Sequence, residues 1–248
     1  MVSRAIDIRG LQVGYDDLLI LQEIDAHVDR GEIAIVLGGS GCGKSTLLKT
    51  IIGLIQPRAG RVEVLGEDAT ALEDEDRDAL SKRLGVMFQY GALLNSLTIA
   101  ENLALPLEMH TDLKPDLVAA IVRTRLALVG LGHAYDRFPN ELSGGMRKRA
   151  ALARAMVLDP EILLCDEPGA GLDPITAAEI DELLLTLNRE LGTTIVIVTH
   201  ELLSIERLDG RLIMLDQGRV AFTGTVAEAR RSDHPIVHPF FHPGGPPA

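Results

Sequence analysis

The decisive stretch runs from Glu32 to Thr46 and reads EIAIVLGGSGCGKST. Glu32–Gly38 is an apolar run of strand length that empties into a glycine-rich loop, and the following KSTLLKTIIGL has helical spacing. Gly38 to Ser45 matches G-x-x-x-x-G-K-[ST] between a strand and a helix, which is the context the motif requires. The glycines let the backbone turn with its N–H groups aimed at phosphate oxygens. Lys44 then reaches the β/γ-phosphates and the Ser45 hydroxyl becomes a Mg2+ ligand. Gly38, Gly39, Ser40, Gly41, Cys42, Gly43, Lys44, Ser45 and Thr46 are thus the candidate nucleotide-binding residues. Such a loop announces a nucleoside triphosphate and says little about what the triphosphate drives.

Working outward, the first thirty residues read as short strands and turns, with alternation in AIDIRGLQV and EIDAHVD, and GRVEVLG reads as a further hairpin-like strand. EDEDRDALSKR is a charged surface helix. LGVMFQ, EILLCDE, TTIVIVTH and RLIMLDQGRVAFTG are strands, with the helix ITAAEIDELLLTLNREL among them. Between Leu97 and Leu158 the strand signal disappears and three helical patterns replace it. The expectation is an α/β core interrupted by an all-helical insertion over about residues 97–158.

Bulk properties agree. At 248 residues a sizeable core is available, and 46% hydrophobic with 3% aromatic residues makes that core aliphatic, as in a parallel sheet covered by helices. A net charge of -12 argues against broad nucleic-acid binding, which needs a basic face. Two cysteines, Cys42 and Cys165, are too few for a disulfide framework and suit a reducing compartment. No signal peptide and no membrane-spanning run is visible, so a cytoplasmic chain held at any membrane by another subunit is expected.

ILLCDEP ends an apolar strand in two adjacent carboxylates. After a P-loop, Asp166 is the candidate to complete the Mg2+ site opposite Ser45, and Glu167 the candidate to polarise an attacking water. Gln89 and His200 also follow apolar strands, and either alone would read as an ordinary residue. In an α/β sheet, strand C-terminal ends line the ligand crevice, so the conjunction of four such ends carries the inference.

Together these residues resemble the ATP-binding cassette (ABC) ATPases over nearly the whole chain. The resemblance makes Gly38–Ser45 the Walker A loop, Gln89 the Q-loop and a Mg2+ ligand, and Asp166 and Glu167 the Walker B end. It makes Leu142, Ser143, Gly144, Gly145 and Met146 the signature, Gly171, Leu172 and Asp173 the D-loop, and His200 the switch histidine. Tyr15 stands where the family places a ring that stacks on adenine. The implied fold is α/β: a RecA-like P-loop NTPase core, an N-terminal antiparallel β subdomain and the inserted helical subdomain, in an ABC domain over 1–232. ATP and Mg2+ are the implied cofactors. The implied assembly is a head-to-tail homodimer, in which the Ser143–Gly145 helix start meets the ATP held by a partner's Walker A loop. Leu93 to Pro106 reads either as the surface for a permease or as subdomain core.

Three details resemble the ATPases of the Mla/Mce lipid-transport systems: Met146 in LSGGMRKRAALARA, the segment MFQYGALLNSLTIAENLALPL, and DPITAAEI after the D-loop. That resemblance implies a phospholipid cargo, an MlaE-like permease dimer in the inner membrane, an MCE-domain lipid-binding protein across it, and no nucleic acid. An amino-acid importer, a lipoprotein exporter and a cell-division-type force-transmitting ATPase are the alternatives. Arg147, Lys148 and Arg149 also read as a solvated helix face. The Pro- and His-rich end, residues 233–248, forms no regular element on composition. It is either a disordered tail or, through an exposed Phe240–Phe241 pair, one that docks on a partner subunit.

Overall fold

The computed structural model of the chain describes residues 3–16 and 18–242. Two long strands come first, β1 (Arg4–Tyr15) and β2 (Leu18–Asp29), followed by β3 (Ile33–Gly38) and α1 (Lys44–Ile51). Then come β4 (Ala59–Val64), β5 (Glu67–Asp68), α2 (Asp74–Ser81) and β6 (Leu84–Met87). The helical insertion supplies α3 (Ile99–His110), α4 (Pro115–Leu128) and α5 (Gly144–Ala155). The chain returns through β7 (Ile162–Asp166), α6 (Pro174–Leu191), β8 (Thr194–Val198), α7 (Leu202–Leu208) and the hairpin β9 (Arg211–Asp216) and β10 (Arg219–Gly224). Two short helices follow, α8 (Val226–Arg230) and α9 (Val237–Phe241).

The strands form two sheets. An antiparallel one runs β2-β1-β4-β5, and a second runs β10-β9-β3-β8-β7-β6. In the second, β9, β3, β8, β7 and β6 are mutually parallel and only the edge strand β10 is antiparallel. Period-2 alternation decides which side chains meet which layer. Val36, Leu164, Val196 and Ile213 face α1 and the antiparallel sheet. Ile35, Leu163, Ile197 and Leu212 face the helices on the opposite side. Because β7 and β8 are covered on both faces, every one of their residues is buried, which explains their unbroken apolar sequence.

The insertion has its own core, in which Ile99, Leu103 and Leu107 of α3 meet Val118, Val122 and Leu126 of α4. α5 belongs to both bodies. Its Ala150 and Ala153 pack in the insertion, while Ala151 and Leu152 pack under the parallel sheet. Local signals set the helix ends. Thr98 and Glu101 form a capping box at the start of α3. Asp173 caps α6, Pro174 takes its first position, and Gly192 closes it at φ 66°.

The chain's end departs from expectation. Residues 237–241 form α9, and Val237 and Phe241 are buried against the parallel-sheet core, with Phe240 partly packed there. The Phe240–Phe241 pair is therefore not exposed. Burying such a side chain is worth about 1.5–3 kcal/mol, enough to order a Pro-containing turn that composition alone marks as irregular. Residues 243–248 lie outside the described residues.

Candidate functional site

The four strands that end in chemistry are neighbours, in the order β3-β8-β7-β6, and all run the same way. Their C-terminal ends deliver the P-loop, His200, Asp166–Glu167 and Gln89 to one edge of the sheet. Sequence reasoning named these residues; the sheet order makes them one site.

At the P-loop, Gly38 has φ 145°, and a Cβ there would lie 2.1 Å from the Leu215 carbonyl oxygen and 2.7 Å from Cys42 Sγ, so no other residue fits. α1 begins at Gly43 with no side-chain cap, which leaves its first N–H groups for an anion. Lys44 Nζ donates to the carbonyls of Gly38 and Gly39, each at 2.9 Å, folding back over its own loop. Tyr15, at the end of β1, is half exposed, with its ring available for stacking.

Ser45 Oγ donates to Asp166 Oδ1 at 3.4 Å across the α1–β7 junction. Adjacent ligands of a Mg2+ held at 2.0–2.1 Å lie roughly 3 Å apart, so this hydroxyl and carboxylate fit one hard cation. Burial pushes the Asp166 carboxyl above its ordinary value, partly offset by the Ser45 hydrogen bond, and the neighbouring Glu167 charge pushes the same way as burial. A divalent cation would reverse that balance.

Glu167 is buried and sits at φ 50°, a left-handed conformation that is rare and strained for a residue with a side chain. Its N–H donates to the Val198 carbonyl at 2.8 Å. Its Oε1 lies 2.7 Å from His200 Nδ1, and Oε2 has no hydrogen-bond partner among the described residues. A buried carboxylate oxygen without a protein partner is suited to accept from a water.

Ser143 caps α5, its hydroxyl accepting from Met146 N at 3.3 Å. Gly145 is needed for close approach, since a Cβ there would fall 2.4 Å from Thr176 Cγ2. Gly144 lies beside Leu172 of the D-loop, and the cleft at this point is lined by Gln89, Tyr90, Lys148 and Gly171.

The family model for ABC transporters matches residues 21–170, more than half of the chain. The chain belongs to the ABC transporter family. The probable ribonucleotide transport ATP-binding protein mkl of Mycobacterium leprae (strain TN) is 39% identical over 238 residues, covering 96% of this chain and 69% of that protein. The methionine import ATP-binding protein MetN of Bradyrhizobium diazoefficiens is 42% identical over 221 residues, covering 89% of this chain and 64% of that protein. Among solved structures, a dimeric ATP-binding cassette in a post-hydrolysis state bound to ADP and Pi superposes with a TM-score of 0.83 at 30% identity, covering 89% of this chain and 98% of that one. The present chain is accordingly an ABC ATPase domain with the cassette fold.

Within this ABC cassette, Gln89 is anchored through its backbone. Its side chain is exposed, and the part the structure ties down is its backbone carbonyl, which accepts from Lys148 Nζ at 2.5 Å. Lys148 is buried and also donates to the Glu167 carbonyl at 2.9 Å, so it is not part of a solvated face. Arg147 donates to Leu142 O at 2.6 Å. The overlooked signal was the spacing of Gly145, Lys148 and Leu152, which puts the lysine on the buried side of α5. Asn102, fully buried, was also missed; its amide bonds Leu94, Leu97 and Thr98 and fixes the segment after the Q-loop. The stretch Leu93 to Pro106 divides accordingly. Ile99 and Leu103 are insertion core, while Leu94, like nearby Tyr90, is exposed. No helix of the described residues is long and apolar enough to cross a membrane.

Proposed function

We propose that this cassette hydrolyses MgATP as a head-to-tail homodimer and drives a membrane permease dimer. The observation that carries the pairing is the division of labour on the sheet edge. The P-loop is assembled with Lys44, Ser45, Asp166, Glu167 and His200, whereas the glycine-bearing start of α5 opens on a cleft shared with the Q-loop and D-loop. A helix start with two glycines suits a γ-phosphate brought by a second copy. In this reading Lys44 and the loop amides bind the β/γ-phosphates, and Ser45, Asp166 and the Gln89 side chain would hold the Mg2+. When bound there, the cation would supply neutralisation of the charge that develops on the phosphates. Glu167 orients water, and His200 holds its carboxylate. Gly171, Leu172 and Asp173 support the neighbouring half-site, and Tyr15 stacks on adenine.

The cargo reading is phospholipid, through an MlaE-like permease dimer and an MCE-domain protein, with the cassette on the cytoplasmic face of the inner membrane. It is supported by Met146 with the basic run after it, by the segment following Gln89, and by Asp-Pro-Ile-Thr at 173–176. The identity to MetN favours a second reading, amino-acid import. The chain spans about two thirds of the length of the mkl and MetN relatives, whose names speak of ribonucleotide transport and methionine import.

Two measurements test these proposals. Glu167→Gln should slow hydrolysis about 100-fold or more and accumulate a MgATP-dependent dimer on gel filtration; a monomer at saturating MgATP counts against the sandwich. Mass spectrometry of the complex purified with its permease should find co-purifying phospholipid, and bound methionine in its place would favour import.

A further inference from the structure

Glu167 is held in its strained backbone conformation by contacts from two directions. From the end of β8 comes the Val198 carbonyl, which accepts its N–H, and from just beyond that strand His200, whose Nδ1 meets its carboxylate. From α5 comes Lys148, whose ammonium binds the Glu167 carbonyl at 2.9 Å and the Gln89 carbonyl at 2.5 Å. One buried charge thus ties the Q-loop and the Walker B end to the helix that starts at the signature. Lys148 lies little more than one helical turn from Ser143, and a turn is about 5.4 Å of rigid backbone. Arg154, further along α5, donates to Ala92 O at 2.6 Å and Gly91 O at 3.2 Å, so the helix grips the Q-loop at two points. Burial draws the Lys148 ammonium below the ordinary lysine range, while the Glu167 and Asp166 carboxylates work to keep it charged.

We infer that Lys148 is a positioning residue that couples the two phosphate sites of one chain: engagement of Ser143–Gly145 by a partner's ATP is transmitted through α5 and Lys148 to the backbone of Glu167, setting the carboxylate for hydrolysis of the chain's own ATP. This rests on the proposed roles of Glu167 and of the signature half-site. The inference is specific about the route, because the ammonium binds main-chain carbonyls and leaves the reacting atoms to Glu167.

The test uses the full chain with MgATP, comparing wild type, Lys148→Met, Lys148→Arg and Glu167→Gln. Lys148→Met should lower kcat about tenfold or more, the scale of a lost charged hydrogen bond, with KM and fluorescent-ATP affinity within about twofold. Lys148→Arg, which keeps a cationic donor, should recover part of kcat. Hydrogen exchange should quicken at 89–92 and 167–170 in Lys148→Met and stay unchanged at 38–46. If Lys148→Met does not fold, Lys148→Gln carries the same readouts. Wild-type kcat together with unchanged exchange at 167–170 overturns the coupling, as does a change confined to KM. If Glu167→Gln itself keeps wild-type kcat, the hydrolytic role fails instead, so the two failures are distinguishable.

Discussion

The glycine-bearing starts of α1 and α5 are built in opposite ways. α1 begins at Gly43 without a side-chain cap, whereas α5 begins under the hydroxyl of Ser143. The uncapped start comes with a lysine, a buried carboxylate and a strained glutamate, which is a full set for phosphate chemistry. The capped start comes with Gly145 pressed on Thr176 and a lysine that reaches away toward main-chain carbonyls. A helix N-terminus offers the same dipole in both places. The difference teaches that the dipole alone does not make a catalytic site; the strand ends around it do.

The contrast breaks most sharply at Lys44. Lys44→Ala should lower ATPase activity at least ~100-fold, the scale of losing a preorganised donor to a developing charge. Steady-state activity near wild type would mean that the P-loop is not the catalytic half. Gly145→Val acts on the other start. Its side chain collides with Thr176 and displaces the start of α5, so MgATP-dependent pairing should vanish in light scattering while fluorescent-ATP binding to the monomer stays within about twofold. Loss of monomer binding would merge the two sites into one.

The smallest effect sharpens the asymmetry in stability. Asp166 has its folded pKa raised by burial, so the native state binds its proton more tightly than the unfolded chain does. Its charge therefore destabilises the nucleotide-free fold above that raised pKa, and the penalty fades as pH falls through it. Asp166→Asn should raise the melting temperature of the nucleotide-free chain at neutral pH by roughly 2–4 °C, the shift expected of about 1 kcal/mol at this chain length. Calorimetry at neutral and mildly acidic pH checks it: the gain should shrink on acidification, and a lower melting temperature at neutral pH contradicts the sign.

Much of the site was legible because its residues are contiguous or follow apolar strands. Gly38–Thr46, Asp166–Glu167 and His200 each carry their context within ten residues. The insertion was legible as a change of period, and Asp173, Pro174 and Gly192 mark the ends of α6 by chemistry local to the chain. What was not legible depends on partners far along the sequence. Lys148 lies 59 residues from Gln89 and 19 from Glu167, and the same basic run on a surface helix would look identical. Asp181, fully buried, pairs with Arg207 and ties α6 to α7, although as a sequence position it is an ordinary charge on an amphipathic helix.

The sequence by itself determined the P-loop, the order of the motifs and the aliphatic α/β core, because steric permission at glycine, helix capping and strand periodicity act within a few residues. Only the tertiary structure decided that β3, β8, β7 and β6 stand side by side, that α5 serves both cores, that Lys148 is buried against two carbonyls, and that Phe241 folds back onto the sheet. These are long-range contacts. Their free energy comes from surfaces that meet only once the chain has collapsed, and no local pattern encodes which surface each will find.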